Sequence, residues 1–270
     1  MSTDLPMMID THCHIHDSEF LQKYSVNPDE LLHTAQLTGV EKVICVGTSI
    51  KSSKEAVAFV ATRTDCYASI ALHPHEVSDY TDDELEEALQ TLELIAKTRP
   101  ERLVAVGECG LDYFYHSDAT VQMRQQALFR RHIELALRYQ LPLIFHIRDA
   151  FEDFFKIIDD YKGITGVVHS FSADVDALKG VVERGLYVGL NGIMTFSKQT
   201  DQLQAAKMVP LEKLVLETDA PFLTPAPFRG KMCEPKHVGI TAQFLSNLRG
   251  ETLEELRSKT TANARKLFGL

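Results

Sequence analysis

The chain has 270 residues, 44% of them hydrophobic and 24% charged, with a net charge of −10. Length and composition suit a soluble globular protein of one large domain or two small ones, and no apolar run approaches the ~20 residues that span a bilayer. The acidic balance argues against a broad nucleic-acid-binding surface, while leaving room for a small site made positive by metal ions and a few arginines. In chain order, short β-rich runs then alternate with amphipathic segments.

MIDTHCHI (8–15) reads as a strand ending in His12 and His14, with His16 two residues further on. Side chains at i, i+2 and i+4 of a strand share one side, so at least His12 and His14 project together. Paired imidazoles make half a metal site. Asn27 before Pro28 caps a helix that Gly39 closes. EKVICVG (41–47) and CYASIAL (66–72) are the next strands, the second running into ALHPH with His73 and His75. Thr81 and Glu84 form a capping box for a helix over 82–97.

RLVAVGE (102–108) ends in Glu108, the stretch 119–139 has helical periodicity, and LPLIFHI (141–147) carries His146. A helix over 151–161 leads to TGVVHSF (165–171) with His169, and one over 174–184 leads to LYVGLNG (186–192). A helix over 199–208 precedes KLVLETD (213–219) with Glu217 and Asp219. Helices over 238–248 and 253–267 close the chain, the last capped by Thr252 with Glu255.

Eight strands alternating with helices predict an α/β protein, a (β/α)8 TIM barrel, as a single domain over 1–270. An open doubly wound sheet is the runner-up, but no G-x-G-x-x-G follows the first strand. Barrel active sites lie on the rim formed by the C-terminal strand ends. The histidines and carboxylates named above stand at such ends. Four histidines with two carboxylates exceed a closed four-ligand structural zinc site and suit two ions bridged by a carboxylate.

The five cysteines (Cys13, Cys45, Cys66, Cys109 and Cys233) are scattered and form no C-x-x-C. With no export signal in MSTDLPMM, they predict reduced thiols in a cytoplasmic protein. Cys13 and Cys109 flank ligand positions, yet strand alternation points them away from the metal side.

The stretches IDTHCHI, ALHPHE, VGECGLDYFY, LIFHIRDA, VVHSFS, LETDAPFLTP and FRGKMCEPKHV span residues 9–238. Their wording and order resemble the TatD-family metal-dependent deoxyribonucleases, within the amidohydrolase-like TIM-barrel hydrolases. The resemblance implies that His12 and His14 hold a first metal with Asp219 beside them. It implies that Glu108 bridges both ions, that His146 and His169 bind the second, and that Glu217 sits behind the ligands. It puts His73, Arg148 and Arg229 where substrate enters, and catalytic work on Asp219, Glu108 and His73.

The cofactors implied are two divalent ions, whether Mg2+, Zn2+ or Mn2+. The partner implied is a DNA substrate, cut from single-stranded ends by a 3′-5′ exodeoxyribonuclease. A monomer without a membrane partner is expected. Departures from similar proteins are Cys233, where asparagine is usual, and HSF (169–171) and GLNG (189–192), where HCF and SFSG are usual. They bear on substrate preference, since every ligand position is kept. Two rivals keep the barrel and its metals: a small-molecule amidohydrolase or lactonase, and an aminoacyl-tRNA deacylase. A third is a binding protein that has lost catalysis. Many amidohydrolases bridge their metals with a modified lysine at the end of strand four; Glu108 in that place favours the nuclease branch.

Overall fold

The computed structural model describes residues 6–270; the opening MSTDL, part of the stretch read for an export signal, lies outside them. Among the described residues the strands are β1 (Met8–Cys13), β2 (Val40–Val46), β3 (Cys66–Ile70), β4 (Leu103–Asp112), β5 (Leu143–Arg148), β6 (Gly166–Val168), β7 (Tyr187–Leu190) and β8 (Leu214–Leu216). The helices are α1 (Ser18–Tyr24), α2 (Pro28–Leu37), α3 (Ile50–Val60), α4 (Asp82–Thr98), α5 (Ala119–Tyr139), α6 (Phe151–Asp159), α7 (Val175–Glu183), α8 (Thr200–Met208), α9 (Val238–Arg249) and α10 (Leu253–Phe268). The strands follow one another from β1 to β8 in a single sheet, and neighbouring strands run parallel where their pairing is described. Parallel strands in sequence order, joined through helices, are the topology of the (β/α)8 barrel. None of the described helices is long and apolar enough to cross a membrane.

The chain packs as two compact units: one runs up to Cys45 and resumes over Ser170–Leu270, and the other is Val46–His169. In the first, α10 braces β1 and β8 from outside. Thr261 donates its hydroxyl to the carbonyl of Met7 (2.8 Å), and the buried Asn263 amide donates to Leu211 (2.7 Å) and Leu214 (2.8 Å). These bonds satisfy backbone carbonyls that the sheet leaves open, and buried polar groups left unpaired are costly. Further along the chain, the end of β1 is stitched to the segment after β8. Asp219 donates its amide to His12 (2.8 Å), and His14 donates to Ala220 (2.7 Å).

In the second unit the core is built around three buried rings, Phe129 on α5, Phe145 on β5 and Phe154 on α6. Their centres lie 5.1–5.9 Å apart in edge-to-face and stacked arrangements. Such ring pairs add about 0.5–1.5 kcal/mol each beyond their buried area. Helix α5 also reaches β3 through His132, which is fully buried. Its Nε2 accepts the amide of Leu72 (3.0 Å), and its Nδ1 donates to Leu128 (2.9 Å). The residue so fixed immediately precedes His73.

Strand β4 is longer than its sequence suggested: it continues past Glu108 to Asp112 and pairs with β5 along the whole of that extension. Two glycines allow this. Gly107 and Gly110 have φ of 156° and 147°, and a Cβ on either would lie 2.5 Å and 2.1 Å from Ile144 Cβ and His146 O respectively. The G-E-C-G spelling thus lets β4 approach β5 closely while placing Glu108 between the two glycines.

Candidate metal centre

In the unit that holds β1 and β8, the pairing of their C-terminal ends gathers three predicted ligands. His12 Nε2 and His14 Nε2 lie 3.3 Å apart. Asp219 Oδ1 is 3.6 Å from the first and 3.3 Å from the second. Both histidines are buried, and the three ligand atoms lie within 4.8 Å of one another. Two imidazole nitrogens and a carboxylate oxygen converging on one point form a donor set that fits a divalent cation. Asp219 adopts a left-handed conformation (φ 63°), tolerable for a short polar side chain. His16, the third imidazole of the run, lies beyond the strand, buried, with its ring 6.3 Å from that of His14.

Behind this cluster sit two buried carboxylates. Glu217 Oε1 accepts the amide of Ser170 (2.6 Å) and the Asn191 side chain (3.4 Å). Asp10, not singled out from sequence, accepts the amides of His12 (3.3 Å) and Thr218 (2.9 Å) on Oδ1, and the Thr218 hydroxyl (2.6 Å) on Oδ2. Burial pushes the Asp10 carboxyl up to about 8, against the pull of those hydrogen bonds. Its signal in the sequence was its place two residues before His12 on the same strand side.

In the other unit, Glu108 is the hub. Its Oε1 lies 2.7 Å from His146 Nδ1, 3.6 Å from His73 Nε2 and 3.6 Å from His169 Nε2. The ligand atoms of His73, Glu108 and His146 lie within 4.8 Å of one another. His73 differs from its neighbours in one respect: its Nδ1 accepts the amide of His75 (3.3 Å). The neutral ring therefore carries its hydrogen on Nε2, towards Glu108. Burial, then the charge of His146, lowers the His73 pKa to about 4. For His146, burial is outweighed by hydrogen bonds to Asp112 and Glu108, and its pKa is raised. The bond to Asp112, from His146 Nε2 at 3.1 Å, involves a residue the sequence reading stopped short of.

Both predicted substrate arginines lie on aromatic rings, exposed for Arg148 and half-buried for Arg229. The Arg148 guanidinium carbon is 3.9 Å from the centre of Phe114 and 5.0 Å from that of Tyr115. That of Arg229 is 3.4 Å from the centre of Phe196. Phe114, Tyr115 and Phe222 are 55%, 62% and 56% exposed. Phe222 meets the ring of His14 edge to face at 6.2 Å.

All five cysteines are buried and outside any disulfide. The thiols of Cys13 and Cys109 turn to the carbonyls of Ile44 (3.4 Å) and Ile144 (3.8 Å), away from the ligand side as strand alternation requires. Burial pushes the Cys233 thiol well above its ordinary range, so it stays protonated; its amide donates to Pro221 (3.0 Å).

Comparison with known proteins identifies the family. A family model described as "TatD related DNase" matches residues 9–269. The chain is 34% identical over 264 residues to an uncharacterized metal-dependent hydrolase, YabD, of Bacillus subtilis, covering 97% of this chain and 99% of that protein. It is 30% identical over 270 residues to the 3′-5′ ssDNA/RNA exonuclease TatD of Citrobacter rodentium, covering 97% and 98%. Among solved structures, YjjV, a TatD homologue of Escherichia coli, superposes with a TM-score of 0.86 at 30% identity, covering 97% and 98% of the two chains. The chain is a member of the TatD-related DNase family of metal-dependent hydrolases.

Proposed function

We propose that this protein hydrolyses phosphodiester bonds in DNA, as a 3′-5′ exodeoxyribonuclease that prefers single-stranded ends. The observation that carries the reading is the company each donor set keeps. Each unit pairs a histidine–carboxylate cluster with an arginine laid across an aromatic ring, exposed at Phe114 and half-buried at Phe196. Guanidinium groups pair bidentately with phosphate oxygens, and exposed rings stack unpaired bases irrespective of sequence. A neutral ester or lactone has use for neither. The exonuclease activity carried in the name of the Citrobacter relative points the same way.

In this reading His12, His14 and Asp219 hold one divalent ion, and Glu108, His146 and His169 hold a second. When bound, such ions neutralise the phosphodiester and lower the pKa of water enough to supply a nucleophile near neutral pH. Asp219 accepts the proton of the attacking water. Its backbone fixes it for that task, with its amide on His12 and its carbonyl accepting from Phe222 at 2.8 Å. His73, a neutral ring, donates a hydrogen bond from Nε2–H to the departing oxygen, which takes its proton from solvent. Arg148 and Arg229 hold phosphate oxygens, and Phe114, Tyr115 and Phe222 stack the bases next to the scissile bond. Glu217 does not meet substrate; it holds Ser170 and Asn191 in place behind the ligands.

The test is a turnover screen of metal-reconstituted protein on single-stranded DNA, RNA, lactones and aminoacyl-tRNA. Release of nucleotides from single-stranded DNA at the fastest rate of the four supports the proposal. Fast turnover of a lactone or of aminoacyl-tRNA, with DNA untouched, replaces it.

A further inference from the structure

Asp112 takes no part in the assignments above, yet its surroundings are fully specified. The side chain is buried. Its Oδ1 accepts the amides of Phe114 (3.0 Å) and Tyr115 (3.1 Å). Its Oδ2 lies 2.9 Å from His75 Nε2 and 3.1 Å from His146 Nε2. Its backbone is clamped by the buried side chain of Gln125 on α5. The amide donates to Oε1 (2.9 Å), and the carbonyl accepts from Nε2 (3.2 Å). A carboxylate held by a strand, a helix side chain and a turn has one place to be.

An ionised carboxylate only accepts hydrogen bonds, so both imidazoles facing Oδ2 must donate from Nε2. The His146 ring stands between two carboxylates: its Nε2 faces Asp112 Oδ2, and its Nδ1 lies 2.7 Å from Glu108 Oε1. A cation shared with Glu108 would take the place of the hydrogen on Nδ1, and the ring would then keep its hydrogen on Nε2, donating to Asp112. Partners of this kind orient metal-binding histidines and raise their basicity. The same carboxylate, through Oδ1, sets the turn that displays Phe114 and Tyr115.

We propose that Asp112 is a positioning residue with two outputs: it holds His146 in the tautomer that ligates through Nδ1, and it fixes the aromatic turn next to Arg148. This rests on the proposed metal role of His146.

The decisive variant is Asp112→Asn. Its amide oxygen still accepts from Phe114 and Tyr115, so the turn is kept. Its NH2 group now faces His146 Nε2 as a donor, which drives the hydrogen onto Nδ1 and blocks the ligating nitrogen. The experiment uses full-length protein labelled with 15N-histidine and loaded with Zn2+. Long-range 1H–15N correlations then read the His146 tautomer, and Zn2+ affinity is measured by competition with a chelator. Wild type should show Nε2–H and Asp112→Asn Nδ1–H, with Zn2+ bound about 10–100-fold more weakly in the variant. Asp112→Ala should weaken Zn2+ similarly and also raise KM for substrate, whereas Asp112→Asn should leave KM near wild type.

An Nδ1–H tautomer in wild type overturns the inference, and that spectrum decides even if the variants fail to fold. So does an unchanged tautomer with Zn2+ affinity within twofold in Asp112→Asn. Undiminished Zn2+ binding by His146→Ala overturns it by removing the ligand on which it rests. An absence of nuclease activity in wild type would instead strike the substrate reading, leaving both readouts of Asp112 intact.

Discussion

Gly110 on β4 is paired with His146 on β5 so closely that a Cβ at Gly110 would lie 2.1 Å from the carbonyl oxygen of His146. With φ at 147°, position 110 also has a backbone conformation that favours glycine. Gly110→Ala must therefore push the two strands apart where Glu108 meets His146. We expect a loss of roughly 2–5 kcal/mol of stability, from strain plus overpacking, and weaker metal binding. Urea unfolding with metal titration checks this; a variant with unchanged midpoint and metal affinity contradicts the close-approach argument.

The two donor sets predict a separable metal inventory. His12→Ala should lose about one of two bound equivalents, and His146→Ala about one. Glu108→Ala is expected to lose both, which is the outcome that the bridging role implied by the family resemblance requires. Elemental analysis of the purified variants reads the count. Two full equivalents retained by Glu108→Ala would refute that role.

His132 predicts a pH dependence. Burial, only partly offset by its bond to Leu128, depresses its folded pKa from 6.5 to about 4. The folded state thus favours the neutral ring, and the unfolded chain binds the proton more readily. The contribution is whole above pH ~6.5 and is lost as pH falls towards ~4, about 3 kcal/mol in full by the usual 1.36 kcal/mol per unit. Denaturant midpoints of metal-free protein at pH 7 and pH 5 should differ more in wild type than in His132→Gln. Equal differences would mean that His132 does not titrate in this window.

The arginine–ring pairs predict a shallow salt dependence. A small positive focus on a chain of net charge −10 should grip few phosphates, giving a log–log salt slope of roughly −1 to −3 on single strands. Arg229→Ala should raise KM, reduce the slope by about 0.7 and leave metal content unchanged. A steep slope, or metal lost along with the arginine, would count against the assignment.

Much of the fold was legible because parallel barrel strands are buried on both faces and read as apolar β-branched runs. All eight were found, and α5 has the bounds its periodicity indicated, 119–139. Helices α1 and α3 were not. Helix α1 buries only Phe20 over seven residues, too little to show a period. The face α3 buries is Ser52, Ser53, Ala56 and Val60, too small and polar to make an apolar stripe.

The candidate site residues were legible because each closes a β-rich run in the sequence, even where the strand itself continues, as at Glu108. Asp112 was not, because β4 appeared to stop at Glu108. Gly107 and Gly110 are what let it continue. The alternation Glu108, Gly110, Asp112 on one strand side was the available signal. His132 and Gln125 gave none: on α5 they resemble ordinary polar positions, and only the packing of β3 and β4 against that helix reveals what they hold.

The most direct measurement is product analysis on a single-stranded oligonucleotide labelled at one end, with metal-reconstituted protein and a covalently closed single-stranded circle of the same sequence as the control. The account predicts stepwise release of mononucleotides from the 3′ end, dependent on divalent metal, abolished in His12→Ala and His146→Ala, with the circle left intact. Equal cutting of circle and linear strand would contradict the exonuclease claim. No phosphodiester cleavage with any divalent ion, beside rapid hydrolysis of a neutral ester, would contradict the account as a whole.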